Sequence, residues 1–307
     1  MTDTQNTTEP IDTRCGTVAI IGRPNAGKST LLNAILGTHL SIVTSKPQTT
    51  RKRVLGILTD ETTQLIFIDT PGILVPRYKM QRSMMGFVGE ALDEADVICL
   101  IVDVVKAVEH KTIIDPMIAP LLKKHNRPVV LVLNKMDALP VKKEALPLME
   151  EARQSGLFTR AIAISASDET YVEDLVYILK GLVPEGPFIH GEDELSTQPQ
   201  RFFVAELIRE VIFRKYKEEI PYASEVAILE FKEREQGKWY IAADVYVERD
   251  TQKAIMIGAK GAALKQVGEE ARAAIEEHLG QPVFLELFVK VRQDWRNDRN
   301  QLADLGY

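Results

Sequence analysis

The chain has 307 residues, more than a single hydrophobic core usually holds, so we expect two domains. Its formal net charge of −6 at pH 7 argues against indiscriminate nucleic-acid binding, although a local basic site is still compatible with it. The 2 cysteines have neither metal-ligand spacing nor a plausible disulfide partnership, which favours a reducing cytosol, and no apolar run approaches the length of a membrane span.

The first residues are polar and acidic, with neither the basic start nor the apolar centre of a signal peptide. We expect residues 1–15 to form a disordered tail. From residue 17 to about residue 183, strand-like runs alternate with helix-like runs, which is typical of a mostly parallel, doubly wound sheet with helices on both faces. The sequence therefore predicts an α/β domain over residues 16–183.

A phosphate-binding loop is predicted at the start of this domain. The apolar run 17–21 predicts a strand, and the glycine-bearing segment that follows leads directly into a helix-like run. Glycines let the backbone approach phosphates, the loop N–H groups form an anion nest, and the helix N-terminus adds a favourable dipole. We expect Lys28 to reach the outer phosphates and Ser29 to hold Mg²⁺. The residues expected around the nucleotide here are Gly22, Arg23, Pro24, Asn25, Ala26, Gly27, Lys28, Ser29 and Thr30.

A second buried strand is predicted at residues 65–68, and it ends at Asp69. A carboxylate at this end of a strand, beside the phosphate loop, can bind a water that is coordinated to Mg²⁺. The N–H of Gly72 can contact the terminal phosphate. This segment adds Asp69, Thr70, Pro71, Gly72 and Ile73 to the expected nucleotide site.

Two further strand ends carry the residues expected to read the base. The runs 129–133 and 161–164 lead, respectively, into Asn134, Lys135, Met136 and Asp137, and into Ser165 and Ala166. Guanine presents two adjacent donors that the carboxylate of Asp137 can accept, whereas adenine would leave that carboxylate desolvated without a partner. Because an unpaired polar group can reject the wrong ligand by ~10⁴-fold, we expect a preference for guanine nucleotides.

Three other residues of these two loops have an expected contact. The stem of Lys135 is expected to lie over the purine face. Asn134 is expected to tie the base loop to the phosphate loop, and the N–H of Ala166 is expected to meet the guanine carbonyl.

Together these segments resemble the guanine-nucleotide-binding domain of the translation-factor-related GTPases. In that family a threonine between the phosphate loop and the Asp69 segment reaches Mg²⁺ only when the terminal phosphate is present. The resemblance implies that this residue is Thr50, with Thr49 as the alternative. Lys28, Thr50 and Gly72 are then the residues expected to act in GTP hydrolysis, and Ser29, Thr50 and Asp69 those expected at Mg²⁺, with Asp69 acting through water.

One position departs from the Ras-type pattern. Ile73 stands where signalling GTPases of that type carry a glutamine that orients the attacking water, and an isoleucine cannot hydrogen-bond that water. We therefore expect slow unaided hydrolysis. Related GTPases with an asparagine at the position of Asn25 seat a K⁺ ion between the phosphates, which makes K⁺ activation a hypothesis for this chain.

The composition changes after the first domain. Residues 184–200 are rich in prolines, glycines and acids, which predicts a linker with a hinge. A smaller α+β domain is predicted over residues 201–292, with a helix at 201–217, strands at 224–234 and 239–248, a helix at 262–279 and a strand at 283–289. Residues 293–307 are then a C-terminal tail.

The loop from Gly258 to Gly261 resembles the GxxG loop of KH domains, and the order of elements matches the second KH topology (type II). Terminal glycines let a single strand of about four nucleotides approach the backbone. A plain glycine-rich turn between helices is the alternative. Four basic residues and one acidic residue lie between Arg249 and Lys265. Trp295 is either a stacking residue or structural. The expected RNA-binding residues are Lys253, Ile257, Gly258, Ala259, Lys260, Gly261, Lys265, Lys290 and Arg292.

The combination of both domains resembles the Era family of bacterial GTPases, which act in small ribosomal subunit assembly. The resemblance covers nearly all of the chain after residue 15. It implies that the KH domain binds the 3′ end of 16S ribosomal RNA on the 30S particle, and that the GTP state controls this binding. It further implies a monomer in the cytoplasm with a weak peripheral contact at the inner membrane, although the sequence has no amphipathic anchor.

Two other functions share parts of this pattern. The chain could be an RNA-binding module with a structural nucleotide site. A GTPase that modifies tRNA or assembles metal centres would share the first domain, but it would carry extra chemistry such as a reactive cysteine near its end, which this sequence lacks.

Overall fold

The computed structural model describes residues 13–307. Most of the expected N-terminal tail lies outside the described residues. Arg14 and Cys15, which the sequence places in that tail, already belong to the first strand. Within the described part of the chain, no helix has both the length and the apolar character needed to cross a membrane.

A six-stranded sheet forms the centre of the first half of the chain, in the strand order β2-β3-β1-β4-β5-β6. Only β2 runs antiparallel, against β3, and the other pairs are parallel. The strands are β1 (Arg14–Gly22), β2 (Val54–Thr59), β3 (Thr63–Asp69), β4 (Val97–Asp103), β5 (Val129–Asn134) and β6 (Arg160–Ala163).

Helices cover both faces of this sheet. They are α1 (Lys28–Leu36), α2 (Lys79–Glu94), α3 (Val104–His110), α4 (Ala119–His125), α5 (Leu146–Ser155) and α6 (Val172–Lys180). Alternate side chains of β1 face opposite ways, so that Ile21 packs in a core with α2 to α5 while Ile20 packs in a core with α1 and α6. Both faces of the central strands are therefore apolar, as the continuous hydrophobic runs predict.

The second half of the chain forms a three-stranded sheet in the order β7-β8-β9. β8 pairs antiparallel with β7 and parallel with β9. The strands are β7 (Glu225–Lys232), β8 (Trp239–Val247) and β9 (Val283–Val291), and the helices are α7 (Gln200–Lys215), α8 (Ile220–Ala223), α9 (Asp250–Ile257), α10 (Ala262–Leu279) and α11 (Arg299–Asp304). The helix predicted at 201–217 ends earlier, and a separate short helix α8 starts beside Pro221.

The predicted linker lies along the edge of the larger sheet. The N–H of Ile57 donates to the carbonyl of Leu195 at 2.8 Å, and the Ser196 hydroxyl donates to the carbonyl of Leu55 at 2.5 Å. These bonds use backbone groups of β2, an edge strand whose polar groups would otherwise face solvent.

The C-terminal residues are structured, contrary to the predicted tail. Residues 295–297 form a 3₁₀ turn before α11. Trp295 is fully buried, and its indole Nε1 donates to the carbonyl of Ala223 at 2.9 Å. It shares a hydrophobic cluster with Met80 and Met84 of α2 and with Leu302 of α11. Of the two alternatives for Trp295, the structure therefore favours the structural one, because a buried ring offers no free face to a base.

Candidate nucleotide site and its contacts with the second domain

The loop between β1 and α1 has a backbone that only glycine tolerates at Gly27. This residue has a φ of 99°, and a Cβ added there would lie 2.2 Å from Nδ2 of Asn134. At Gly22 an added Cβ would lie 2.4 Å from the carbonyl oxygen of Ile101. The helix α1 begins at Lys28, so its free N–H groups face the loop. The loop is therefore built as an anion site.

Lys28 is buried beside this loop, and its Nζ donates to the carbonyl of Arg23 at 3.2 Å. Burial lowers the pKa of Lys28 to about 8, against the opposing effect of the Asp69 carboxylate. An anionic ligand beside the amine would favour its charged form. Lys28 is therefore a desolvated amine whose charged form a bound phosphate can stabilise.

Three oxygen-bearing side chains meet next to Lys28. The Ser29 hydroxyl donates to Oδ2 of Asp69 at 2.7 Å and lies 2.8 Å from the Thr50 hydroxyl. Burial raises the pKa of Asp69, while Lys28 and the hydroxyl donors oppose that rise. Thr49, the alternative to Thr50, instead donates its hydroxyl to the carbonyl of Lys46 at 2.7 Å.

This oxygen set fits Mg²⁺, which prefers hard oxygen ligands and keeps several of its waters. Oδ1 of Asp69 is buried and has no hydrogen-bond partner among residues 13–307, so it is free to accept a bond from a metal-bound water. Clusters of three or more His, Cys, Asp or Glu side chains that could hold a metal do not occur in the described part of the chain.

The segment after Asp69 packs closely against the phosphate loop. A Cβ added to Gly72 would lie 2.7 Å from Cα of Pro24, and the N–H of Ile73 donates to the carbonyl of Gly22 at 2.9 Å. The side chain of Ile73 is buried in the core, and the Thr70 hydroxyl donates to the carbonyl of Ile20 at 2.8 Å. Thr70 and Ile73 therefore direct no side chain toward the site.

The base loops lie against the phosphate loop through Asn134. Its Nδ2 donates to the carbonyl of Ala26 at 2.9 Å, and its Oδ1 accepts from the N–H of Ala166 at 3.0 Å. The N–H of Ala166, which is expected to meet the guanine carbonyl, donates to Asn134 in this structure. Asp137 accepts from the Ser165 hydroxyl at 2.6 Å, and the N–H of Met136 donates to the carbonyl of Ile164 at 3.1 Å.

Lys135 is held by an ion pair that sequence reasoning missed. Its Nζ lies 2.8 Å from Oδ2 of Asp103 and donates to the carbonyl of Asn25 at 2.7 Å. Asp103 is the last residue of β4 and pairs in register with Asn134. The position of Asp103 at the carboxyl end of a strand was the feature of the sequence that could have indicated this ion pair.

Arg23 and Asn25 make contacts around the rim of the site. Nε of Arg23 lies 2.5 Å from Oδ2 of Asp115, and its Nη1 donates to the carbonyl of Ile73 at 3.2 Å. Nδ2 of Asn25 donates to the carbonyl of Ser45 at 2.8 Å. A cavity over the loop is lined by Pro24, Asn25, Gly27, Lys28, Ser29, Thr30, Ile42, Val43, Thr44, Gln48, Thr49, Thr50 and Gly72.

Residues 42–53 contain neither helix nor strand and lie between this cavity and the second domain. Lys46 donates through Nζ to the carbonyls of Phe213 and Tyr216 at the end of α7. Nη2 of Arg209 donates to the carbonyl of Thr49 at 2.6 Å. The part of the chain that carries Thr50 is therefore held from the second domain.

The loop from Gly258 to Gly261 joins α9 to α10 and has positive φ at Gly258, Lys260 and Gly261. A Cβ added to Gly258 would lie 2.6 Å from Cβ of Ala263, so the tight turn requires glycine there. Ala259 is exposed and Ile257 half-buried, and the nearby Lys253 is half-buried whereas Lys265 is exposed. Lys253 and Ile257 belong to the helix before this loop and Lys265 to the helix after it.

Beside this loop a groove runs between α10 and the edge strand β9. It is lined by Lys238, Gly261, Leu264, Lys265, Gly268, Glu269, Arg272, Val283, Phe284, Leu285 and Leu287. Lys238, Arg272 and Phe284 were missed in the sequence, where they stand apart. Two of the expected basic residues make internal contacts: Nζ of Lys290 lies 2.7 Å from Asp244, and the Arg292 guanidinium lies 4.0 Å from the centre of the Tyr246 ring.

Two family models match the chain. One, described as 50S ribosome-binding GTPase, covers residues 17–135, and the other, described as KH domain, covers residues 219–296. The GTPase Era of Trichlorobacter lovleyi is 42% identical over 294 residues, which cover 96% of this chain and 98% of the relative. The GTPase Era of Desulfovibrio desulfuricans is 41% identical over 297 residues, 95% of this chain and 97% of the relative.

Solved structures give the same result. A crystal structure of Era in complex with MgGDPNP and nucleotides 1506–1542 of 16S ribosomal RNA matches with a TM-score of 0.90 at 37% identity, covering 96% of this chain and 99% of that one. A variant of Aquifex aeolicus Era bound to GDP and AlF₄⁻ matches with a TM-score of 0.88 at 37% identity, with the same coverage. The predicted fold class, a GTPase domain followed by a KH domain, is confirmed.

Replacing Gly72 by alanine places a methyl group against the backbone of Pro24. We expect this clash to displace the Gly72 N–H from the terminal phosphate and to lower GTP hydrolysis about 100-fold, the usual cost of losing one backbone donor to developing charge. Single-turnover hydrolysis with radiolabelled GTP measures this. Gly86→Ala in α2 is the matched control, because an added Cβ there meets nothing within 4 Å. Normal hydrolysis by the Gly72→Ala variant would contradict the expected role of Gly72.

Proposed function

The chain belongs to the Era family of GTPases, and on this premise we propose that it binds and hydrolyses GTP with Mg²⁺ and thereby controls RNA binding by its KH domain. The observation that carries this proposal is the meeting of Lys28, Ser29, Thr50 and Asp69 beside a glycine loop, although they come from separate parts of the sequence. Asp137 supplies the carboxylate for guanine, and Asn134 links the base loops to the phosphate loop.

The proposed roles follow from the geometry. Lys28 would stabilise negative charge on the outer phosphates. Ser29 and Thr50 would hold Mg²⁺, with Asp69 acting through a water, and the metal would supply positive charge beside the phosphate oxygens. The Gly72 N–H would donate to the terminal phosphate. Because the side chain of Ile73 is buried, nothing at that position orients the attacking water, and hydrolysis unaided is slow.

We propose that the RNA is the 3′ end of 16S ribosomal RNA on the 30S particle. The solved relative with a TM-score of 0.90 is bound to nucleotides 1506–1542 of that RNA. The description of the GTPase family model names the 50S subunit instead. That model matches only part of the chain, whereas the Era relatives match nearly all of it, so we favour the small subunit.

The loop at residues 258–261 is the proposed RNA contact, with the groove beside β9 continuing it. The proposed division of the chain follows the sequence prediction, with residues 16–183 for the GTPase domain, 184–200 for the linker and 201–292 for the KH domain, except that β1 extends the first domain to Arg14 and α7 extends the KH domain to Gln200. A monomer acting in the cytoplasm, with a weak peripheral contact at the inner membrane, completes the proposal.

Coupling between the two sites is supported by contacts on both sides of the terminal phosphate. Lys46 binds the end of α7, where the Tyr216 hydroxyl donates to the carbonyl of Met256 at 2.6 Å, just before the Gly258 loop. On the other side, α2 follows the Gly72 segment and packs through Met80 against Trp295. Both segments that sense GTP therefore rest on the RNA-binding half.

A GTPase with added thiol chemistry is not favoured. Both cysteines are buried, and burial raises the pKa of Cys99 to about 12 and raises that of Cys15. A reactive thiol needs the opposite shift.

Lys28→Ala tests the switch against an RNA-binding module with a structural nucleotide site. We expect GTP hydrolysis to fall by at least about 100-fold and RNA affinity to become independent of GTP, because Lys28 stabilises phosphate charge. Binding of a labelled 16S 3′ fragment with GDPNP and then with GDP measures the coupling, and Lys123→Ala on the exposed face of α4 serves as control. If Lys28→Ala leaves both the RNA affinity and its dependence on GTP unchanged, the switch model is wrong.

Asp137→Asn tests base reading. We expect preference for GTP over xanthosine triphosphate to fall by about 1000-fold or more, because the amide NH₂ can donate to the C2 carbonyl of xanthine but would oppose one of the two donors of guanine. Competition binding with both nucleotides measures it. Asp168→Asn removes a charge from an exposed residue of the neighbouring base loop and is the control. An unaltered preference for GTP would remove Asp137 from the base site.

Potassium activation is the proposed source of additional positive charge, with Oδ1 of Asn25 as a ligand. We expect faster GTP hydrolysis in KCl than in NaCl at equal ionic strength, and we expect Asn25→Ala to abolish the difference. Steady-state phosphate release measures both rates. Equal rates of the unchanged protein in the two salts would eliminate this role.

A further inference from the structure

Arg51, the residue directly after Thr50, is almost fully buried, with 1% of its surface exposed. Its guanidinium contacts only the second domain among the hydrogen bonds of the described residues. Nη1 donates to the carbonyl of Ser224 at 2.6 Å and to Oε2 of Glu225 at 2.9 Å. Nη2 donates to the carbonyls of Pro221 and Tyr222 at 2.9 and 3.2 Å.

These acceptors explain why an arginine is needed. The carbonyls belong to the end of α8, where the last carbonyls of a helix have no partner within the helix. Arginine presents several donors in a planar fork, whereas lysine presents a single point charge. The fork can therefore cap the end of α8 and bind a carboxylate at the same time. The Phe213 ring, 5.5 Å from the guanidinium carbon, lies beside it.

Glu225 is held ionised opposite Arg51. Its carboxylate is buried, and Oε2 also accepts from the Tyr307 hydroxyl at 2.5 Å. Burial opposes ionisation, but Arg51, Lys52 and Arg209 outweigh it and hold the pKa of Glu225 at about 2. Lys52 reinforces the group, since its Nζ donates to the carbonyl of Leu305 at 2.5 Å and lies 4.9 Å from the centre of the Tyr307 ring.

We propose that Arg51, held by Glu225 and Tyr307, is a positioning residue for GTP hydrolysis that fixes Thr50 at the Mg²⁺ site from the second domain. The proposal rests on the function proposed above for Thr50. Residues 42–53 have no ladder or helix of their own, so side-chain anchors decide where they lie. Consecutive Cα atoms are only about 3.8 Å apart, so a shift of Arg51 is passed on to Thr50. The Thr50 hydroxyl lies 2.8 Å from that of Ser29 in the anchored arrangement.

The proposal predicts a selective effect. Thr50 is expected at Mg²⁺ only when the terminal phosphate is bound, so a loosened Arg51 weakens binding of GDPNP and lowers the rate of hydrolysis. Binding of GDP, which does not use Thr50, is unaffected. A purely structural role for Arg51 would weaken both nucleotides together.

Glu225→Gln and Tyr307→Phe are the test variants. Glu225→Gln keeps shape but removes the charge, and we expect GDPNP affinity to fall by at least about tenfold with GDP affinity unchanged, the scale of one hydrogen bond to a charged group. Tyr307→Phe keeps the ring and removes one hydrogen bond to Glu225, so we expect a smaller loss of GDPNP affinity. Titration calorimetry in the presence of Mg²⁺ measures both affinities. The dependence of kcat for GTP on Mg²⁺ concentration measures the metal requirement, and we expect the variants to need more Mg²⁺.

Arg53→Ala supplies the matched control. Arg53 also belongs to the 42–53 segment, but it pairs at 2.7 Å with the half-exposed Glu94 of the first domain, an interaction that contributes little. We expect this variant to bind and hydrolyse like the unchanged protein. Thermal unfolding of each variant shows whether it is folded at the assay temperature.

A double-mutant cycle tests whether the residues act through one contact. If they do, Arg51→Gln combined with Glu225→Gln discriminates GDPNP from GDP no worse than Arg51→Gln alone. Additive losses, equal losses for both nucleotides, or unchanged discrimination in Glu225→Gln and Tyr307→Phe would overturn the positioning role. Failure of the unchanged protein to hydrolyse GTP would instead overturn the proposed function itself.

Discussion

The register of the parallel strands is the constraint on which the nucleotide site depends. Ile20 of β1 pairs with Asp69 of β3, and Asp103 of β4 pairs with Asn134 of β5. Carboxyl ends of parallel strands meet at one edge, so residues far apart in the chain reach the phosphate loop without any long insertion. A slip of one residue would turn these side chains to the opposite face. The apolar cores on both faces hold the register, so the precision of the site comes from the core.

Burial then gives these polar residues their chemistry. The same desolvation lowers the pKa of Lys28 and raises that of Asp69, so it opposes charge on both groups. A bound phosphate supplies negative charge beside Lys28, and a bound metal ion supplies positive charge beside Asp69. Together they offset the desolvation penalty of both side chains. The energetic preference for a nucleotide together with its metal is therefore built into the loop, rather than added by mobile surface charges that salt would screen.

The sequence predicted the parts of this site that lie in short contiguous motifs after strands. Glycine positions, the strand ends and the loops for the base follow from local rules, and the structure places them together. Arg51 with Glu225 and Trp295 with Met80 could not be paired in this way, because their contacts join distant segments. The bond from the N–H of Ala166 to Asn134 likewise joins two separate loops. Residues 293–307 contain too few apolar residues to show a helix or strand periodicity, so the sequence predicted a tail there.

Thr50 and Arg51 are neighbours in the chain, so nucleotide binding at one residue and domain docking at the other are thermodynamically coupled. Thr50 faces the nucleotide site while its neighbour Arg51 is buried in the other domain, so one conformation of residues 42–53 serves both contacts. If the docked arrangement favours GTP by some factor, GTP must favour docking by the same factor. A segment without secondary structure suits this role, because its movement breaks no helix or sheet hydrogen bonds and only its side-chain anchors hold it. The Arg51 contacts are buried and charged, and leaving one partner unpaired is costly, so we expect these contacts to be made or broken together.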